Sequence, residues 1–215
     1  MSFSIVLLLE IIGTVAFAVS GAMTGLRKGM DVFGVAILGL TTAAGGGVIR
    51  DLILGNTPPE LFHNPVYAFV AMGTAVVVFL PAVQHLLDRI HGLYDSLMLL
   101  MDSLGLGIFT VVGIQTAYAT LENPGGFLAI FVGVLTGVGG GILRDVFAGD
   151  MPYVFVKHFY ACASIIGAVI CVLLRLFMGM ELAMLIGAAS IVVLRFLAVR
   201  YRWSLPKAKF YMEKK

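Results

Sequence analysis

Ala44-Gly45-Gly46-Gly47-Val48-Ile49-Arg50-Asp51 returns at an offset of 94 as Val138-Gly139-Gly140-Gly141-Ile142-Leu143-Arg144-Asp145. The register extends outward to Phe33 and Phe127, Gly39 and Gly133, Thr42 and Thr136, Gly55 and Gly149, and Pro58 and Pro152. Further upstream the offset becomes 92 and pairs Glu10 with Asp102, Gly13 with Gly105, Phe17 with Phe109 and Gly21 with Gly113. The connector before Gly126 absorbs the two residues. Chance does not produce such a register, so the chain contains an internal duplication.

The duplicated segments are apolar. Of 215 residues 60% are hydrophobic and 12% charged, against roughly a quarter charged in a soluble domain. At about 20 apolar residues per crossing, the runs predict seven helices: Ile5 to Gly25, Phe33 to Leu54, Pro65 to Leu86, Tyr94 to Ala117, Gly126 to Ala148, Phe159 to Phe177 and Glu181 to Val199. The expected fold is all-α and integral to the membrane, one membrane domain over residues 1–215. It divides into a three-helix repeat (5–87), a second repeat (94–178), a seventh closing helix (181–199) and a basic tail (200–215). An odd number of crossings per repeat sends the second copy in from the opposite side, which makes the repeat inverted, as in transporter folds with a pathway between repeats. The third helices match poorly and the seventh has no counterpart.

Lys and Arg gather on one side, at Arg27, Lys28, Arg89, Lys157 and the tail with Arg200, Arg202, Lys207, Lys209, Lys214 and Lys215. The other side has Arg175, so the positive-inside rule puts the N-terminus outside and the C-terminus in the cytoplasm. The tail reads as an anchor near anionic lipid. No Lys or Arg precedes the first run and Glu10 interrupts it, which favours a retained helix over a cleaved signal. With 14 basic against 12 acidic residues the net charge is +2, too small for a nucleic-acid face. Cys162 and Cys171 lack metal or disulfide spacing. His63, His85, His91 and His158 sit near helix ends without ligand spacing. No metal site or cofactor is expected.

Three adjacent glycines cost helix propensity, about 1 kcal/mol each relative to Ala. Gly45, Gly46, Gly47, Gly139, Gly140 and Gly141 therefore have two readings: close helix packing, or kinks that turn backbone carbonyls toward a water-lined path. The run does not continue as Gly-Lys-Ser/Thr, so it is no phosphate loop. Arg50-Asp51 and Arg144-Asp145 follow one turn later. Neighbouring residues on a helix do not face each other, so each Arg is expected to pair with an acid on another helix, as a structural clamp or as a gate. Glu10 and Asp102 lie about five residues inside opposite ends, placed to attract cations at two mouths or to pair with Arg50 or Arg144. Thr42, Thr136, Ser103 and Thr110, with Ser20, Thr24, Thr41, Gln115 and Thr116, either line a narrow wet passage or bond between helices.

On the pattern Gly-Gly-Gly-x-x-Arg-Asp-x-x-x-Gly-x-x-Pro, present as Gly45 to Pro58 and Gly139 to Pro152, the sequence resembles the prokaryotic trimeric intracellular cation (TRIC) channels. It is similar also to the related bacterial proteins described as glycine transporters. The resemblance covers essentially the whole chain. It implies a homotrimer with one pathway per protomer, permeation by K⁺ with limited discrimination against Na⁺, and the glycines of the second and fifth helices at the constriction. Lipid regulation of the animal kind is not implied, because Val48-Ile49-Arg50-Asp51 replaces the basic residue beside that glycine motif.

Two functions use the same residues. A passive cation channel would draw on the carbonyls and the two acids. A carrier for glycine or another small zwitterionic amino acid would have Arg50 or Arg144 meet the carboxylate. No nucleophile, metal cluster or cofactor motif suggests an enzyme. The expected partners are lipids and further copies of the chain.

Overall fold

Pro81 breaks the third apolar run, and this is where the architecture departs most from the expected seven crossings. In the computed structural model, which describes residues 3–89, 92–156 and 159–203, the helices are α1 (Phe3–Arg27), α2 (Val32–Leu54), α3 (Glu60–His63), α4 (Val66–Phe79), α5 (Pro81–Arg89), α6 (Leu93–Thr120), α7 (Gly125–Phe147), α8 (Tyr153–Val156), α9 (Tyr160–Met178) and α10 (Met180–Arg200). Six of them, α1, α2, α6, α7, α9 and α10, hold stretches long and apolar enough to span a bilayer. The seventh is a span only if α4 and α5 are taken together, and these meet at a bend of 67°. Proline has no N–H to continue the ladder and disfavours helix at the residue before it, and Leu80 is accordingly extended (φ −60°, ψ 137°). His91, Lys157, His158 and the tail lysines Lys207, Lys209, Lys214 and Lys215 lie outside the described residues.

Local signals set the ends of α2. Asp31 accepts from the Gly34 amide at 2.8 Å, satisfying one of the orphan N–H donors at the helix start. Gly55, with φ +78°, closes the helix in the left-handed conformation that glycine adopts without strain. Its repeat mate Gly149 has φ +70°.

Helix α1 packs on α2, α4 and α6, α7 on α6 and α9, and α10 on α9 and α6, while α2 and α7 cross each other at the centre. The described chain is a multi-pass helical membrane protein, with large apolar side chains such as Phe33, Phe127 and Phe177 turned outward. Inside, lipid-like side chains gain little from leaving lipid, so close approach of small residues holds the helices together.

Two polar contacts tie the helix ends. Lys28 Nζ, after α1, donates to Asp150 after α7 at 2.5 Å, and Asn56, after α2, donates to the Thr120 hydroxyl at the end of α6 at 3.3 Å. In the repeat register Lys28 corresponds to Thr120 and Asn56 to Asp150, so the same two positions meet at both faces with their roles exchanged.

The hydrogen bond from Lys28 holds the Asp150 carboxyl below its usual range. A depressed folded value means that the stabilisation is fully present above about pH 4, the ordinary carboxylate value. It is lost as the pH falls from there through the folded value. The pair is partly exposed, so the expected effect is small, ~0.2–1 kcal/mol. Thermal unfolding in detergent between pH 6 and pH 3 should steepen more for the wild type than for Asp150→Asn, and parallel profiles would show that the contact contributes nothing.

Candidate functional site

Gly46 and Gly140 sit where α2 and α7 cross. A Cβ on Gly46 would land on the carbonyl oxygen of Thr136, and one on Gly140 on the carbonyl oxygen of Thr42. Thr42 and Thr136 are themselves repeat mates, so the crossing has the symmetry of the duplication. Gly45 faces Leu143 and Gly139 lies against Gly46 and Ile49, again in matched positions. Both helices run unbroken through their glycines. Close packing, rather than a break in the helix, is thus the role that geometry gives to four of the six.

Gly47 and Gly141 differ. A Cβ on Gly47 would meet only the tip of Arg50, at 3.8 Å, whereas one on Gly141 would meet the Tyr160 hydroxyl at 2.9 Å. The space in front of Gly47 is a cavity of about 60 Å³, lined by Glu10, Thr14, Gly47, Arg50, Asp51, Glu60, Tyr67 and Phe109 among others. That is room for a few waters. The corresponding space in the second repeat is filled.

Each repeat has the same charged parts. In the first, Arg50 Nε donates to Asp51 Oδ1 at 2.8 Å, and Asp51 Oδ2 accepts from the Glu60 amide at 3.0 Å. In the second, Arg144 Nε donates to Asp145 Oδ1 at 2.8 Å, and Asp145 Oδ2 accepts from the Tyr153 amide at 2.8 Å. Each Asp thereby joins the end of a long helix to the first amide of the short helix that follows, α3 or α8, and the repeated Gly and Pro shape the turn between. Both arginines curl back to the neighbouring Asp, which the expectation of a partner on another helix did not include; Arg144 makes that expected contact as well, with Asp102 on α6.

The acids of the leading helices diverge. Glu10 accepts from the Tyr67 hydroxyl at 2.6 Å and faces the cavity. Asp102 is buried and receives Arg144 Nη1 at 2.7 Å, the Tyr160 hydroxyl at 3.4 Å and Arg195 Nη2 as an ion pair at 3.6 Å. Arg144, with no exposed side-chain surface, also donates to Ser20 and lies over the Tyr153 ring. Of the two pairings expected for the acids, Asp102 with Arg144 forms. Glu10 takes a tyrosine instead of an arginine.

Between the two clusters the repeat mates Phe17 and Phe109 stack with centroids 5.3 Å apart and planes tilted by 30°. Phe109 lines the cavity, and Phe17 fills the spaces over Gly105 and Gly140.

The hydroxyls of Thr42, Thr136 and Thr110 are buried and bond back to Leu38, Val132 and Leu106 one turn earlier. Thr110 also reaches Ser164 on α9 at 2.8 Å. Ser103 is buried, with no hydrogen-bond partner among the described residues. Thr24, Thr41 and Thr116 likewise bond to their own helices, and Thr14, with Tyr67, brings a hydroxyl to the cavity lining. Among the described residues no cluster of His, Cys, Asp and Glu forms a metal-ligand set, and His63 and His85 are exposed.

Sequence reading missed Thr14 and Glu60 of the cavity and three further participants. Tyr67 and Tyr160 repeat at an offset of 93 in third helices that otherwise match poorly. Arg195 comes from α10, the closing helix without a counterpart. Its signal was an arginine within an apolar span, where burial of charge demands a partner.

Comparison with known proteins gives concordant results. The glycine transporter family matches residues 7–82 and again 99–175. YadS, a UPF0126 inner membrane protein of Escherichia coli K12, is 34% identical over 200 residues, covering 92% of this chain and 93% of its own. A UPF0126 membrane protein of Vibrio cholerae is 37% identical over 204 residues, covering 94% and 82%. Among solved structures, the TRIC trimeric intracellular cation channel orthologue of Rhodobacter sphaeroides aligns with a TM-score of 0.83 and 34% identity over 93% of this chain and 99% of that one. A structure described under the structural basis for conductance through TRIC cation channels gives 0.83 and 32% over 99% and 100%.

Proposed function

The chain belongs to the glycine transporter family, and from its likeness to solved TRIC cation channels we propose that it is a passive channel for monovalent cations, K⁺ and Na⁺, in a prokaryotic inner membrane. Two inverted three-helix repeats, α1, α2, α4 and α6, α7, α9, frame one pathway per protomer, with α10 closing the second. The exchanged contacts Lys28–Asp150 and Asn56–Thr120 favour this arrangement. The N-terminus lies outside, and three copies assemble, in keeping with the trimeric description of the Rhodobacter relative.

One observation carries the proposal. The open cavity brings Glu10, Asp51 and Glu60 together against the single base Arg50, an acidic mouth that concentrates cations and repels anions. From there the path leads past Phe17 and Phe109, the closed point in this conformation, to the Asp102 cluster. A glycine carrier is less well supported, because the solved structures this chain resembles are described as cation channels and Arg144 is buried against Asp102 and Asp145.

Glu10→Gln tests the mouth. Under a KCl gradient the wild type should reverse near the K⁺ equilibrium potential, and the variant should shift severalfold toward equal K⁺ and Cl⁻ permeability. An unchanged reversal potential would remove Glu10 from the pathway.

A further inference from the structure

The two halves of the molecule are built from the same parts, yet their charges do not match. At the open end three acids, Glu10, Asp51 and Glu60, stand against Arg50. At the other end Asp102 and Asp145 are balanced by Arg144 and by Arg195, a residue the duplication does not supply. Arg195 comes from α10, the helix with no counterpart. Its guanidinium reaches Asp102 Oδ2 at 3.6 Å and lies 4.6 Å from the centre of the Tyr160 ring. It is 4% exposed, so its charge acts within the protein with little screening by salt. Among the described residues the first repeat shows no such base: Glu10, the mate of Asp102, is met by the neutral Tyr67 hydroxyl.

We propose that Arg195 makes the pathway electrically one-sided, neutralising the inner cluster so that cations enter more readily from the Glu10 end than from the Asp102 end. Resting on the channel reading, this adds a directional property to it and assigns that property to a residue of the closing helix. An acidic mouth raises the local cation concentration when bulk salt is low; a neutral one does not. The cation current is therefore larger from the Glu10 end, and the difference shrinks as salt rises.

The test is the ratio of currents at +100 and −100 mV through purified full-length protein in planar bilayers with symmetric 50 mM KCl, then 1 M KCl. The wild type should rectify at low salt and approach a ratio of one at high salt. Arg195→Gln leaves the inner cluster with one uncompensated acid and should move the low-salt ratio toward one by about twofold to sixteenfold, the range one charge produces ~10 Å away between ε of 80 and 20. Arg195→Lys keeps the charge and should keep the rectification. Asp102→Asn changes the cluster in the opposite sense and should strengthen rectification, and it carries the test if Arg195→Gln does not assemble. A conducting wild type that is ohmic at low salt, or whose rectification survives Arg195→Gln unchanged, overturns this inference alone. A Lys variant that behaves like Gln also overturns it, since charge would not be the cause. A wild type with no cation current overturns the channel reading and this inference with it.

Discussion

Gly46→Ala and Gly140→Ala are each expected to destabilise the protein by about 3 kcal/mol, at the upper end of overpacking costs. The obstacle at each site is a backbone carbonyl, of Thr136 or Thr42, which no rotamer change moves aside. Relief requires α2 and α7 to separate along their whole crossing. The gain in helix propensity, about 1 kcal/mol for Gly to Ala, is smaller than this. Leucine at either site should prevent a monodisperse product altogether. Gly47→Ala supplies the contrast, because its Cβ would enter the cavity with only the Arg50 tip nearby. Thermal unfolding and size-exclusion profiles in one detergent should therefore separate Gly47→Ala, close to wild type or slightly more stable, from the other two. Equal stability of all three would show that the crossing is looser than described.

Arg144→Met should cost about 3–5 kcal/mol, the range for stripping one partner from a buried ion pair. Asp102 and Asp145, both buried, would face each other's charge with Arg195 alone to offset them. Arg50→Met should cost less, because water in the neighbouring cavity can solvate Asp51 and Glu10. Adding Asp102→Asn to Arg144→Met should recover part of the loss. Coupling in such a double-mutant cycle, measured by thermal unfolding, reports the pair directly. Equal losses at Arg50 and Arg144 would contradict the inequality of the two halves.

Much of the fold was legible because a membrane leaves few choices. Apolar runs of crossing length must be helices, and the bounds of α2, α7, α9 and α10 fall within a residue or two of the sequence reading. The bend at Pro81 was written in the sequence but was absorbed into an otherwise continuous apolar run. The glycine motif announced its importance without its role. Composition cannot distinguish a helix that opens at Gly46 from one that meets a carbonyl there, since both need a missing side chain. The Arg-Asp clasp was obscured by a rule about short-range helix geometry that a side chain as long as arginine escapes. Tyr67, Tyr160 and Arg195 were hidden for a different reason: each acts through a contact between helices whose facing is fixed only by tertiary packing. The difference between an open Gly47 and a covered Gly141 likewise has no counterpart in two nearly identical motifs.

The most direct test of the channel account is the purified protein in planar bilayers under asymmetric KCl, with labelled-glycine uptake into vesicles from the same preparation. Discrete openings that reverse near the K⁺ equilibrium potential, without saturable uptake, are the expected result. Saturable glycine uptake with no unitary current would contradict it and make the protein a carrier.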